Sequence, residues 1–191
     1  MQTTTHVVLM SCAGDANDPA TLAIAGVLSA AFERYGHHLL PMPGLDADAT
    51  RRLFLHWFPK ADVALGLDWV ALTGADRVEP RLDEIEDLLS LLRDHAAVTH
   101  GTAEASEAVA YALACASLGN NHLWQDLDLP SRLELSALIS HWFPGLAARN
   151  TQNMKWKRFF YKQLCLREEL LICRAPTCGV CPDYAVCFGP E

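Results

Sequence analysis

The chain has 191 residues, 51% of them apolar, and a formal charge of −8. Five Trp and seven Phe supply bulk for a packed core, which excludes a disordered chain, and the length suits one domain or one domain with a small appended module. The negative balance disfavours a general role on nucleic acid or an anionic membrane, and no stretch approaches the roughly 20 apolar residues of a membrane span.

Residues 1–19 read as a leader without defined structure. Their apolar run, Val7 to Met10, lacks the basic flank of a signal peptide, so the chain reads as cytoplasmic. A helical body is expected over 20–148. Asp15, Asn17, Asp18 and Pro19 form a helix start, and Thr21 to Tyr35 is an Ala/Leu-rich buried-helix pattern broken by Gly36, Pro41, Pro43 and Gly44. Asp46 or Asp48 can cap a helix over Ala49 to Phe58, ended by Pro59. Ala61 to Leu72 leans to helix. Leu82, Ile85, Leu88, Leu89 and Leu92 recur at steps of three and four, an amphipathic helix over 81–97. Thr102 can cap a helix to about Leu118, stopped by Gly119 and Asn120. Ser131 and Glu134 form a capping-box pattern that opens a helix to Phe143. Asn150 or Thr151 can cap a last long helix to about Leu170. Strand alternation is sustained nowhere, so the expected class is all-α, a helical bundle.

The segment from His38-Leu39 to His56-Trp57-Phe58-Pro59 resembles that from His122-Leu123 to His141-Trp142-Phe143-Pro144. The two tetrads lie 85 residues apart. This pattern predicts a duplicated helical hairpin packed around its Trp and Phe side chains.

Residues 149–191 form a third region, a basic helix followed by a cysteine-rich metal-binding loop. Cys173-x4-Cys178-x2-Cys181-x5-Cys187 gathers four thiols within one short stretch. Such a set can replace the outer ligands of a four-iron cluster or close a tetrahedral zinc site. In a reducing compartment clustered cysteines bind metal more often than they form disulfides, and seven cysteines are an odd number. Gly179 permits a tight fold, and Pro176 and Pro182 stiffen the loop. Spacing alone leaves iron–sulfur and zinc open, because it reports ligation better than metal identity. Cys165 lies eight residues upstream, as a further ligand, a sulfur relay or a buried small hydrophobe.

Residues 149–174 carry seven cations against Glu168 and Glu169. On a helix, Trp156, Phe159, Phe160 and Leu164 form an apolar stripe, with Lys155, Lys157, Arg158 and Lys162 around it. These cations and Arg174 can attract an oxyanion or an acidic partner and can offset a thiolate cluster's charge. No RNA-binding pattern accompanies them. His56, His122 and His141 sit at helix ends. Each suits a hydrogen-bonded structural role, with contact to metal or oxyanion as the alternative. No phosphate-binding loop, nucleophile elbow or acid–base pair is present.

The run Met154 to Cys165, followed by the four spaced cysteines and Phe188-Gly189, resembles the NifQ family of nitrogen-fixation proteins. His122 to Leu127 and Ser131 to Ser136 are also similar to it. The resemblance covers at least residues 120–190, without departure from the family's cysteine pattern. It implies a role in building the iron–molybdenum cofactor of nitrogenase, as a molybdenum donor rather than a turnover enzyme. It also implies an iron–sulfur cluster, of 4Fe-4S or Mo-Fe-S type, on Cys173, Cys178, Cys181 and Cys187. The implied partners are the nitrogenase iron protein, the cofactor-assembly scaffold and molybdate. Cys165 or a histidine can complete the molybdenum shell. The rival readings are a zinc-stabilised interaction module and an Fe–S electron-transfer or reductase protein.

Overall fold

The computed structural model describes residues 4–75, 77–97 and 102–167, and every regular element among them is helical. In chain order these are α1 (Thr4–Cys12), α2 (Pro19–Tyr35), α3 (Ala47–Trp57), the short α4 (Ala61–Ala64) and α5 (Trp69–Leu72), and α6 (Leu82–Arg93). There follow α7 (Ala103–Ser117), α8 (Leu123–Asp126), α9 (Arg132–Trp142), α10 (Pro144–Ala147) and α11 (Trp156–Arg167).

Local chemistry sets most of these boundaries. Asp18 accepts from the Ala20 N–H ahead of Pro19, whose fixed φ suits a first helical turn. Asp46 accepts from Ala49 N and Thr102 from Ala105 N. Ser131 accepts from Leu133 N while its hydroxyl donates to Glu134. Trp57 and Trp142 end their helices because the next residue precedes a proline, which bars it from the helical region. Phe58 accordingly adopts φ −136°, ψ 61° and Phe143 adopts φ −133°, ψ 55°.

Those two near-identical turns belong to a longer repeat. The eleven buried positions of α2, from Ala20 to Phe32, recur one for one at an interval of 85 residues in α7, from Ala105 to Ser117. The four buried positions of α3 (Thr50, Leu53, Phe54, Trp57) recur at the same interval in α9 as Leu135, Leu138, Ile139 and Trp142. Packing follows the repeat. α1 lies on α2 as α6 lies on α7, the small side chains of α2 and α7 meet at the centre, and α3 packs on α7 while α9 packs on α2. The packing of the two segments is thus reciprocal. Trp57 and Trp142 hold equivalent positions, with ring centroids 6.5 Å apart.

Three expectations change. Residues 4–12, taken as part of a leader, form α1, with Leu9 fully buried and His6 nearly so. Its short apolar run carries no cap signal, and packing on α2 rather than intrinsic propensity stabilises it. Residues 61–72 make two single-turn helices, because Gly66 (φ +67°) turns the chain and Asp68 caps a fresh start at Val70 and Ala71. The last helix begins at Trp156, not after Asn150. The Asn150 side chain instead accepts from Met154 N and donates to Met154 O, and Asn153 takes a left-handed conformation.

Packing at the centre is close. Gly26 sits in mid-α2 against the backbone of Leu127 and Asp128, where a Cβ would lie 2.5 Å from the Leu127 carbonyl oxygen. Phe54, Phe58, Phe143, Phe159 and Phe160 are among the largest fully buried side chains.

Candidate functional site

The sequence places the chemistry at the end of α11, so the seat of that helix matters first. Of its expected apolar stripe, Trp156, Phe159 and Phe160 are buried and Leu164 is half-buried, while Tyr161 and Cys165 also turn inward. The stripe is fixed at both ends. Trp156 Nε1 donates to Ser136 Oγ (3.0 Å), and the Arg132 guanidinium donates to Asn153 O (2.7 Å) and Met154 O (2.9 Å). Further along, the Tyr161 hydroxyl donates to Glu84 (3.0 Å), and Arg167 pairs with Asp94. These two contacts set α11 beside α6, both directed toward the same end. All of these anchors lie in the second half of the repeat.

Cys173, Cys178, Cys181, Cys187 and Arg174 lie outside the described residues. So do Glu168 and Glu169. Cys165 is buried near the end of α11, 8% exposed. Arg167, the last described residue, lies beside the C-terminal end of α6, where it meets Asp94, and the residue after Asp94, His95, holds its Nδ1 2.8 Å from Leu91 O. Among the described residues, no group of three or more His, Cys, Asp or Glu side chains converges well enough to hold a metal ion.

The cations of the basic helix are engaged within the fold. Lys157 pairs with Asp126 and donates to Gly119 O (2.9 Å). Burial lowers its pKa from the ordinary lysine value, against the opposing effect of Asp126. Lys155 and Arg158 also have partners. Lys162 is exposed, with Nζ 3.9 Å from Met154 Sδ.

The histidines divide by position. His56 and His141 are exposed and lie edge-on to Trp57 and Trp142, with ring centroids 5.1 and 5.3 Å apart. They occupy equivalent places in the two halves and flank the Trp57–Trp142 pair. His122 caps α8, its backbone N–H donating to Gln125 Oε1 (3.0 Å).

One feature had no local signal in the sequence. A cleft of about 260 Å³ opens between the end of α2, residues 77–81 and the end of α7. Arg34, Arg77 and Arg81 line it, with Tyr35 and Cys115. The Arg77 guanidinium carbon lies 4.0 Å from the centre of the Tyr35 ring, and that of Arg34 lies 5.2 Å from the same ring. Arg77 Nη2 is 3.6 Å from Glu79. Its Nε and Nη1 are buried and have no hydrogen-bond partner among the described residues. An unsatisfied buried donor costs about 1–3 kcal/mol, more when charged. Arg81 is fixed by a hydrogen bond from Nη2 to Leu118 O (2.9 Å). Cys115 keeps partial exposure, yet desolvation pushes its thiol up to about 12, beyond the opposing pull of Arg77. It is therefore a neutral thiol at neutral pH, unsuited as a ready metal ligand.

Comparison with known proteins places the chain. It is 47% identical over 116 residues to Protein NifQ of Azotobacter vinelandii, a match covering 61% of this chain and 58% of the relative. It is 49% identical over 79 residues to Protein NifQ of Rhodobacter capsulatus, covering 41% of this chain and 44% of the relative. To Protein NifQ of Klebsiella pneumoniae it is 49% identical over 81 residues, covering 42% and 48%. The chain thus spans about half the length of the curated relatives it matches. No solved structure matches it. A family model described as NifQ matches residues 23–189, which takes in most of α2, every later helix and all four C-terminal cysteines, and the chain belongs to the NifQ family.

Proposed function

We propose that this chain serves nitrogen fixation by receiving molybdenum and passing it into the biosynthesis of the nitrogenase iron–molybdenum cofactor. The observation that carries the proposal is the family match, whose span includes Cys173, Cys178, Cys181 and Cys187. Their chemistry fits an iron–sulfur cluster: four thiolates form a soft donor set suited to iron and to reduced molybdenum. When bound, the cluster supplies the sulfur environment in which molybdenum is held. The chain's own contribution is to hold α11 rigidly through Arg132, Ser136, Glu84 and Asp94, so that the cysteine segment starts from a fixed point. Cys165, buried two residues before the last described residue, Arg167, is the adjoining donor nearest in sequence. The nitrogenase iron protein and the cofactor-assembly scaffold are the proposed recipients, in the cytoplasm. No described helix is long and apolar enough to cross a membrane.

Anaerobic purification from cells grown with and without molybdate tests this. The expected product is brown, with iron, acid-labile sulfide and, in molybdate-grown cells, molybdenum. Cys181→Ser should abolish the visible absorption and the bound molybdenum. A colourless protein holding one zinc would replace this reading with the zinc-stabilised module. A reversible one-electron couple without molybdenum uptake would replace it with electron transfer.

A further inference from the structure

The arginine-lined cleft plays no part in the reading above, and its chemistry points to a ligand of its own. Arg34, Arg77, Arg81 and Lys157 face or border it, against the carboxylates of Glu79 and Asp126. Asp126 is taken by Lys157 and Glu79 lies against Arg77, which leaves an excess of two positive charges in a chain of formal charge −8. Two guanidinium groups lie against the single Tyr35 ring, which holds like charges near one another, and a bound anion offsets their repulsion. Arg77 meanwhile keeps Nε and Nη1 buried without an acceptor among the described residues. Buried donors of this kind are normally paired, so the Arg77 charge is left short of compensation within the fold. At about 260 Å³ the cleft is smaller than the roughly 300 Å³ at which pockets for larger organic ligands begin.

We propose that this cleft is a binding site for one small tetrahedral oxyanion, neutralised by the guanidinium charges of Arg34, Arg77 and Arg81. Such an ion carries only acceptors and so matches a wall of fixed donors. Glu79 and Asp126 disfavour a larger anion reaching across to their side. The site adjoins the start of α11 through Lys157, whereas the cysteine segment follows Arg167, about 16 Å further along that helix. The oxyanion class rests on the cleft's geometry alone. Its identification as molybdate rests on the function proposed above.

Calorimetric titration of the full chain in chloride buffer at low ionic strength, separately with molybdate, sulfate and phosphate, decides the matter. Saturable one-to-one binding of at least one of these is expected. Arg77→Gln should weaken it at least about tenfold, the loss of one neutralising charge. Arg34 is exposed, so Arg34→Gln keeps the fold and should weaken binding measurably even if Arg77→Gln does not fold. Arg52→Gln, exposed on α3, and Cys181→Ser should bind as wild type does. No saturable binding of any of the three ions, or unchanged binding in both arginine variants, would overturn the site. Equal affinity for all three upholds the site and removes only its assignment to molybdenum. Loss of binding in Cys181→Ser would mean that the oxyanion sits at the cysteines instead.

Discussion

Gly26→Ala pits two effects against each other. Alanine favours a helix interior over glycine by about 1 kcal/mol, so propensity alone makes the variant more stable. The structure opposes this. The added Cβ would stand 2.5 Å from Leu127 O, 2.8 Å from Leu127 C and 2.9 Å from Asp128 Cβ. Ordinary contact begins near 3.4 Å, so that backbone must retreat by close to 1 Å. It has little freedom to do so. Leu127 N bonds to Leu123 O, Asp128 N to Gln125 O and Leu129 N to Trp124 O, and Leu127 is fully buried. Overpacking a fixed site costs about 1–3 kcal/mol, and the upper end applies where backbone rather than a side-chain tip is struck. The net expectation is a loss of about 1–2 kcal/mol, or a Tm lower by about 2–8 °C for a chain of this size. Thermal and urea unfolding followed by far-ultraviolet circular dichroism measures it. Gly14→Ala, with nothing within 4 Å of its Cβ, is the control and should stay within about 0.5 kcal/mol of wild type. A Gly26→Ala protein as stable as wild type, or more so, would refute the close approach of α2 to residues 127–128.

The repeat predicts matched costs: Phe58→Ala and Phe143→Ala, both fully buried at equivalent turns, should each lose about 3–5 kcal/mol in urea denaturation. Ser131→Ala removes a helix cap and should cost about 0.5–2 kcal/mol. The same change should bring the Glu134 carboxyl, held below its usual range by the Ser131 hydroxyl, back up in a carboxylate titration followed by NMR. Glu134 is a depressed acid, so its contribution is present above the ordinary carboxylate value and is lost as pH falls through the folded value. Cys115 has the opposite sign. Its native thiol is raised from 9.0 to about 12, so the stability it confers is complete below 9 and is lost as pH rises toward 12. Cys115→Ala should flatten that alkaline loss, and mass spectrometry after alkylation at pH 8 should find Cys115 unmodified in the folded protein.

Helices with chemical punctuation were legible in the sequence. Asp46, Thr102 and Ser131 cap where their side chains suggested, and Pro59 and Pro144 stop what precedes them. The tetrads pointed to the repeat, but it runs back through α2 and α7, where the burial pattern recurs and identity is confined to Leu28/Leu113 and four alanine pairs, too common a residue to signal it. α1 was not legible, because a nine-residue apolar run acquires a helical state only by docking on α2. Asn150 misled because a side chain suited to capping a helix can equally clamp the chain ahead of one. The four C-terminal cysteines declare themselves by spacing, and they lie outside the described residues. The arginine cleft declared nothing, since Arg34 and Arg77 are brought to one tyrosine ring only by the packing of distant segments.

The 85-residue recurrence is most informative where it fails. The counterpart of Arg34, 85 residues on, is Gly119, and the counterpart of Tyr35 is Asn120. The first half thus presents a cation and its aromatic support. The second presents bare backbone, and a side chain at 119 would collide with the Asp126 carboxylate that receives Lys157. The first half has no seat for α11, and the second has no arginine on a tyrosine at the cleft. The framework is common property of the two halves, and the chemistry resides in their divergence.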